Sequence, residues 1–390
     1  MPSDVHPSRS RVAAFAVLSC LVAVAFAALV GAGPIGDRLT SPIMDDPGQY
    51  RVIVDEILDG TLPYVDGAVE HLPGAVAAMV AIGALASLTG IGFSVLWVLA
   101  MSMCVVGATM AFASGPSGDS DRASQFLVLG LPLLPIVLFR VEPWLILFVV
   151  LSLTASLRGA QAISAVTAAA ATTIKGWPLI LLAMPWRAGA RRAAGVAAGA
   201  SGALIAAVAL SDGFRDARAY TGIHTETLVG SLALLVRHVA GGALELVPAA
   251  GAAYVEVDRW AVVLNGCVGV AAIAAAVWIG RDAERKALVR ALGVATVGIV
   301  LASPLLSAQF IYWLVPFAVF FASRRARQLM IATGALTLVV VVAWSPTDAW
   351  WAAITLTRNL ALVTLAVVWI TTASRDRQLE ASTSRRNLPV

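Results

Sequence analysis

Runs of apolar residues long enough to cross a bilayer as helices recur along the whole chain, and they limit its fold more than any motif does. The first is "VAAFAVLSCLVAVAFAALVGAG", residues 12–33. A hydrocarbon layer of about 30 Å takes about 20 such residues, and a spanning backbone must satisfy its own hydrogen bonds, so it forms helices or a closed barrel. A barrel needs short alternating segments, which these runs are not. The first run exceeds the apolar stretch of a signal peptide and further spans follow it, so it reads as a retained helix. With 59% hydrophobic and only 13% charged residues, the chain lies outside the range of soluble domains. The expected fold class is all-α, a polytopic membrane protein of about 11–13 transmembrane helices.

Short loops rich in Lys and Arg stay cytoplasmic. The clearest are "PSRSR" at the N-terminus, "RAGARR" (187–192), "RDAERKALVR" (281–290), "RRAR" (324–327) and the tail from Arg375. Placing them inside predicts helices near 11–32, 71–89, 92–113, 124–139, 143–157, 160–185, 194–211, 260–280, 291–304, 309–323, 329–344 and 352–373. Both ends are then cytoplasmic. The loops 34–70 and 211–259 and the turns 303–309 and 345–351 share the opposite face. Residues 230–259 are too interrupted by Gly, Pro and charge for a span and read as a re-entrant or interfacial helix pair. Hydropathy leaves open whether "FRVEPW" (139–144) sits at the cytoplasmic end or is drawn into the bundle. The organisation expected is one polytopic domain, 1–374, and a cytoplasmic tail, 375–390.

Other chemistries find little support. Cys20, Cys104 and Cys267 lie in apolar runs without metal-ligand spacing, and read as small core residues. Net charge is +4, yet the basic residues report orientation and form no aromatic-interleaved nucleic-acid surface. No Gly-rich phosphate loop follows a strand, which disfavours a cytosolic nucleotide-sugar donor. Arginine far outnumbers lysine, of which only Lys175 and Lys286 occur, and alanine is abundant, as in a GC-rich bacterial genome.

The first loop is the acidic exception. It carries Asp37, Asp45, Asp46, Asp55, Glu56, Asp59, Asp66 and Glu70 against Arg38 and Arg51. Within "GQYRVIVDEILDG" the apolar positions fit a short interfacial helix that Gly60 and Pro63 end. Asp45 and Asp46 stand apart, just before Pro47 and Gly48, where a turn would hold a carboxylate at the membrane surface as a base. A translocated, solvated loop accounts equally for the other carboxylates.

From here the residues resemble a family. "DPGQY" (46–50), "LDGTLPY" (58–64) and "EHLPG" (70–74) resemble the first-loop signature of bacterial polyprenyl-phosphate-mannose-dependent mannosyltransferases of the phosphatidylinositol-mannoside type, within the C-type multi-span glycosyltransferase superfamily. Asp46 with Tyr50, then Gly60, Pro63 and Tyr64, match it. His71 and the single Pro73 depart from the usual aromatic and two prolines. The order continues with Arg140 and Glu142 for the family's Arg-x-Asp, Lys175 and Pro178 for its Lys-x-x-Pro, "RDARAYTGIHTET" (215–227), and the Ser-Pro turn before "WLVP" (313–316). The similarity covers residues 37 to about 320.

The resemblance implies a C-type glycosyltransferase fold whose long extracytoplasmic first loop carries interfacial helices, in a bacterial plasma membrane. It implies transfer of a hexose, mannose above all, from a polyprenyl-phosphate sugar to a lipid-linked or cell-envelope glycan, without metal or other cofactor. Membrane lipids are expected partners and nucleic acid is not. A sugar leaving a polyprenyl phosphate needs a base for the acceptor hydroxyl and cations for the departing phosphate. Asp46 is the base, with Asp45 the alternative, and one carboxylate acting without a covalent intermediate gives inversion. Candidate phosphate ligands are Lys175, Arg215, Arg218, His224 and His71. Lys175, costing about 2.5–3.5 kcal/mol inside a hydrophobic segment, serves the phosphate or pairs with Glu142. Arg215 and Arg218 are equally ordinary loop charges, and His224 precedes a helix start that favours anions. Tyr50, Tyr64, Glu142, Ser307 and Gln309 are candidates for sugar or acceptor hydroxyls, though Ser307 and Gln309 serve a polar helix start as well. The competing readings are a transporter or flippase for a lipid-linked precursor, whose internal repeats are not seen, and a non-catalytic scaffold.

Overall fold

The computed structural model describes residues 9–32, 36–114, 120–217, 222–241, 246–249, 252–256, 259–281, 283–321 and 323–386. They pack as two compact units, Met1–Leu127 with Leu134–Tyr220, and Val128–Leu133 with Thr221–Val390. Both are almost wholly helical, as the apolar runs require. The chain is an α-helical multi-pass membrane protein: among the described residues, six helices are long and apolar enough to cross a bilayer.

The first unit contains α1 (Arg9–Ala32), α2 (Gly36–Leu58), α3 (Pro73–Thr89) and α4 (Phe93–Ala113). Helix α5 (Ser120–Gly130) leaves this unit at Val128, and α6 (Leu134–Val137) re-enters it. Helices α7 (Glu142–Leu157), α8 (Gln161–Ile174), α9 (Ala183–Arg187), α10 (Arg191–Ala209) and α11 (Asp212–Ala217) follow. Helix α7 packs between α4 and α8, while α1 lies on α4 and α10 on α8. Local chemistry sets several ends. Pro73 opens α3, where its missing N–H costs nothing, and left-handed Gly90 closes it. Gly60, at φ 101°, and Pro63 stop α2 where expected.

The second unit holds β1 (Ile223–His224), α12 (Leu228–Ala240), β2 (Leu246–Ala249), β3 (Ala252–Val255), α13 (Arg259–Gly280) and α14 (Arg285–Ala302). After a 3-10 stretch at Ala308–Leu314 come α15 (Val315–Ala318), α16 (Arg324–Val342) and α17 (Ala349–Arg386). The strands form one antiparallel sheet in the order β1-β3-β2. The Thr227 hydroxyl caps α12 by accepting from the Gly230 N–H at 2.9 Å.

Four expectations need correction. The helix pair expected over 230–259 is one helix, α12, followed by the β2–β3 hairpin, because Pro248 and alternating small residues do not sustain a second helix. Most of the 34–70 loop is the 23-residue helix α2, so Asp45 and Asp46 lie inside a helix and not in a turn. Of the twelve expected spans, six are single apolar helices of spanning length and 291–304 lies in the 18-residue α14, which carries Arg285, Lys286 and Arg290; α3 and α7, with 17 and 16 residues, are shorter. Prolines at 132, 178 and 316 accompany 3-10 breaks in three others.

The fourth correction concerns the path. The path drawn from the basic loops puts Asp46 outside and residues 140–142 inside, yet Asp46 and Arg140 form an ion pair. The segment 124–139 therefore does not carry the chain from one face to the other. The segment 160–185, drawn as one span, instead turns back at Lys175, and α9 packs along α8. No single helix therefore covers 160–185; α8, the 3-10 stretch Trp177–Leu182 and α9 take its place. Helix α10 then returns, bringing Ile205 against Gly176, and α11 seats Gly213 on the backbone of Tyr64 and Gly67.

Candidate functional site

The doubled-back arrangement gathers charged residues at helix ends of the first unit. Antiparallel α7 and α8 place Glu142, the first residue of α7, at the same end as Lys175, the residue after α8. A carboxylate at a helix N-terminus and an ammonium at a C-terminus each suit the local dipole. Lys175 is thus at a hairpin tip, in extended backbone, and not inside a continuous span. The start of α3 closes on the same point, where a Cβ on Gly74 would lie 2.9 Å from the Thr173 carbonyl carbon. Only glycine admits that approach.

Asp46, Tyr50 and Arg140 complete the group. On α2, Asp46 and Tyr50 are one turn apart, and the Tyr50 hydroxyl donates to Asp46 Oδ2 at 2.9 Å. The same oxygen accepts from Arg140 Nη1, and Oδ1 takes part in neither bond. Asp46 retains 9% exposure. Tyr50 is buried, its ring 4.8 Å from that of Trp97 and edge-on to His71 at 5.3 Å. Burial, and then the Asp46 charge, push the Tyr50 hydroxyl well above its ordinary pKa, so it remains a donor. Glu142 is 1% exposed, and neither of its oxygens accepts a hydrogen bond from another residue. Its charge is felt by Arg140 and Tyr50, and it feels Lys175 and Asp46. "FRVEPW" is accordingly drawn into the packed interior. Two carboxylates and two cations share the place.

Beside it runs an apolar groove of about 480 Å³, lined by Ile57, Pro63 and Tyr64 with Pro73, Val76, Ala77, Val80 and Ala81 of α3. The Tyr64 hydroxyl donates to the His71 carbonyl at 2.6 Å, linking the groove wall to the residue stacked on Tyr50. Tyr64 adopts φ 72°, a left-handed conformation unusual for a tyrosine and held here by packing under α11. Burial raises its pKa also.

The remaining expected residues lie elsewhere. Arg215 is exposed on α11 and pairs with Asp212. Arg218 and the Asp45 side chain are outside the described residues. His224, Ser307 and Gln309 belong to the second unit. There the Ser307 hydroxyl donates to Gln309 Oε1 at 2.5 Å, and His224 is buried with both ring nitrogens engaged, Nδ1 accepting from the Glu226 N–H and the other donating to the Leu306 carbonyl. Burial lowers the His224 pKa despite Glu226, which keeps the ring neutral. Among the described residues no group of three His, Cys, Asp or Glu is placed to hold a metal ion.

Two features escaped sequence reasoning. Arg140 was noticed but given no role, although an arginine between two apolar runs is a functional signal in a membrane protein. The second is a buried network in the second unit. Arg358 of α17, wholly buried, donates to Glu226 Oε2 at 2.7 Å and to the Glu226 carbonyl, while Asn359 Nδ2 donates to the same carbonyl and to Ser231 Oγ, each at 3.0 Å. The lone cation in the apolar run 349–373 was the available signal. No protein-family model, curated protein or solved structure matches the chain.

Proposed function

We propose that this chain is a membrane glycosyltransferase that moves a hexose, mannose in the first instance, from a polyprenyl phosphate to a lipid-linked or cell-envelope glycan. The observation that carries the reading is the meeting of Asp46, in the middle of α2, with Arg140, Glu142 and Lys175 around the start of α7 and the end of α8, near an apolar groove. Those parts match the demands of the chemistry. Asp46 Oδ1, outside both the Tyr50 and Arg140 bonds, is the oxygen that accepts the acceptor hydroxyl's proton. Arg140 and Lys175 balance the charge that collects on the departing phosphate. The groove beneath Tyr64 suits the hydrocarbon part of the donor. A single acting carboxylate and no covalent intermediate give inversion at the anomeric carbon. On this reading the group faces the extracytoplasmic side of a bacterial plasma membrane.

Membranes carrying the Asp46→Asn protein are expected to lose transfer from polyprenyl-phosphate mannose by about 10²–10⁴-fold, with insertion and folding unchanged. Full activity would remove Asp46 from the base role. Full activity in the Asp45→Asn, Asp46→Asn double variant would overturn the enzymatic reading as drawn. Movement of intact lipid-linked sugar across vesicles without transfer would favour a flippase.

A further inference from the structure

Glu142 is the group the reaction as drawn does not use. A phosphate leaves without a general acid, so a second carboxylate beside Asp46 has no proton to supply. Yet its position is costly. An ionised carboxylate offers about four lone-pair positions, and a group with 1% exposure has no water to fill them. Lys175 and Arg140 act on its charge, and the one donor facing the carboxylate is Glu142's own backbone N–H; no donor of another residue reaches either oxygen. The backbone gives it no way out: Glu142 heads α7, followed by Pro143, so its place is set by the helix start. The Trp97 indole N–H, on the ring packed against Tyr50, is likewise buried without an acceptor. Acceptors left unfilled within such a charged cluster are what a polyhydroxylated ligand satisfies, since each sugar hydroxyl both donates and accepts.

We propose that Glu142 is the specificity-determining carboxylate of this site, accepting hydrogen bonds from hydroxyls of a glycosyl group whose phosphate is held by Arg140 and Lys175. The assignment rests on the glycosyltransferase reading for the nature of the donor, but it concerns recognition, not transfer. A purely structural partner of Lys175 would affect every ligand alike; a hydroxyl acceptor affects only those carrying the sugar.

The test measures binding of two lipids to the full chain in nanodiscs by calorimetry: polyprenyl-phosphate mannose and polyprenyl phosphate without sugar. The wild-type protein is expected to prefer the mannosylated lipid by at least about tenfold, the worth of one or two hydrogen bonds to a charged acceptor. Glu142→Gln is expected to bring that ratio close to one, while any effect of the lost charge on the phosphate ligands Arg140 and Lys175 falls on both lipids alike. A preserved ratio, equal loss for both lipids, or no preference in the wild type would each overturn the proposal. Deoxy analogues of the mannosyl lipid, tested on wild-type protein, avoid any folding defect of the variant. At least one is expected to bind about tenfold more weakly, and equal binding of all of them would overturn the proposal. Sugar-dependent binding without transfer would sink the enzymatic reading and leave this one standing; transfer without sugar-dependent binding would do the reverse.

Discussion

Arg358 shows how much one side chain is made to hold. It has no exposed surface, and it joins α17 to the residues before α12 through Glu226. Desolvating both charges costs several kcal/mol, which their mutual attraction and the bonds from Asn359 offset. Removing one partner leaves the other charged and buried. Arg358→Ala is therefore expected to lower stability by about 3–5 kcal/mol in detergent unfolding, while Arg358→Met joined with Glu226→Leu loses clearly less. Equal loss in both would mean that the network acts by shape alone. The sequence showed half of this pair. An arginine inside an apolar run announces a buried partner, but Glu226 stands 132 residues away, and its surroundings of His, Thr and Asp read as a solvated loop. The same limit applied to Asp46. Type and position singled it out as a carboxylate near the membrane surface, whereas Arg140, 94 residues on, became its partner only through folding.

At the level of elements, α13 and α14 pack through small residues. A Cβ on Gly298 would stand 2.8 Å from Ala272 Cβ and 2.9 Å from the Gly269 carbonyl oxygen, so the two backbones nearly touch. In lipid such approach replaces the hydrophobic effect as the source of helix association. Gly298→Leu is expected to cost about 1–3 kcal/mol by overpacking, read as a lower melting temperature, whereas Gly266→Ala on α13, with nothing within 4 Å of its Cβ, should stay within about 0.5 kcal/mol. No loss in Gly298→Leu would show that the helices separate without penalty. Helix positions were largely readable because apolar length and loop charge are local properties. Fold-back was not. Hydropathy joined α8 to the segment after Lys175 since both halves are apolar, and "KGWP", an extended residue followed by Gly and a proline-led 3-10 turn, gave the only local sign. The β2–β3 hairpin was missed for a related reason, since apolar runs this short carry no period that marks a strand, and Pro248 argues only against a helix.

For the whole molecule, the Asp46–Arg140 pair and the fold-back at Lys175 together predict a topology that labelling can test. With Asp46 placed outside, the tip of the α7–α8 hairpin at Arg158 lies inside, where a single span over 160–185 would have put it outside. In a chain with Cys20, Cys104 and Cys267 replaced by Ala, cysteines at Asp59 and Asp212 should react with a membrane-impermeant maleimide in intact cells. Cysteines at Arg158 and Arg192 should react only after permeabilisation. Labelling of Arg158→Cys from outside would restore the original path. One last consequence comes from Asp46. Because Tyr50 and Arg140 both grip a single oxygen of its carboxylate, the group is aimed and cannot swing about its bond. If Asp46 is the base proposed above, it takes a proton from one direction only, so the side from which an acceptor must approach is already set in the resting protein.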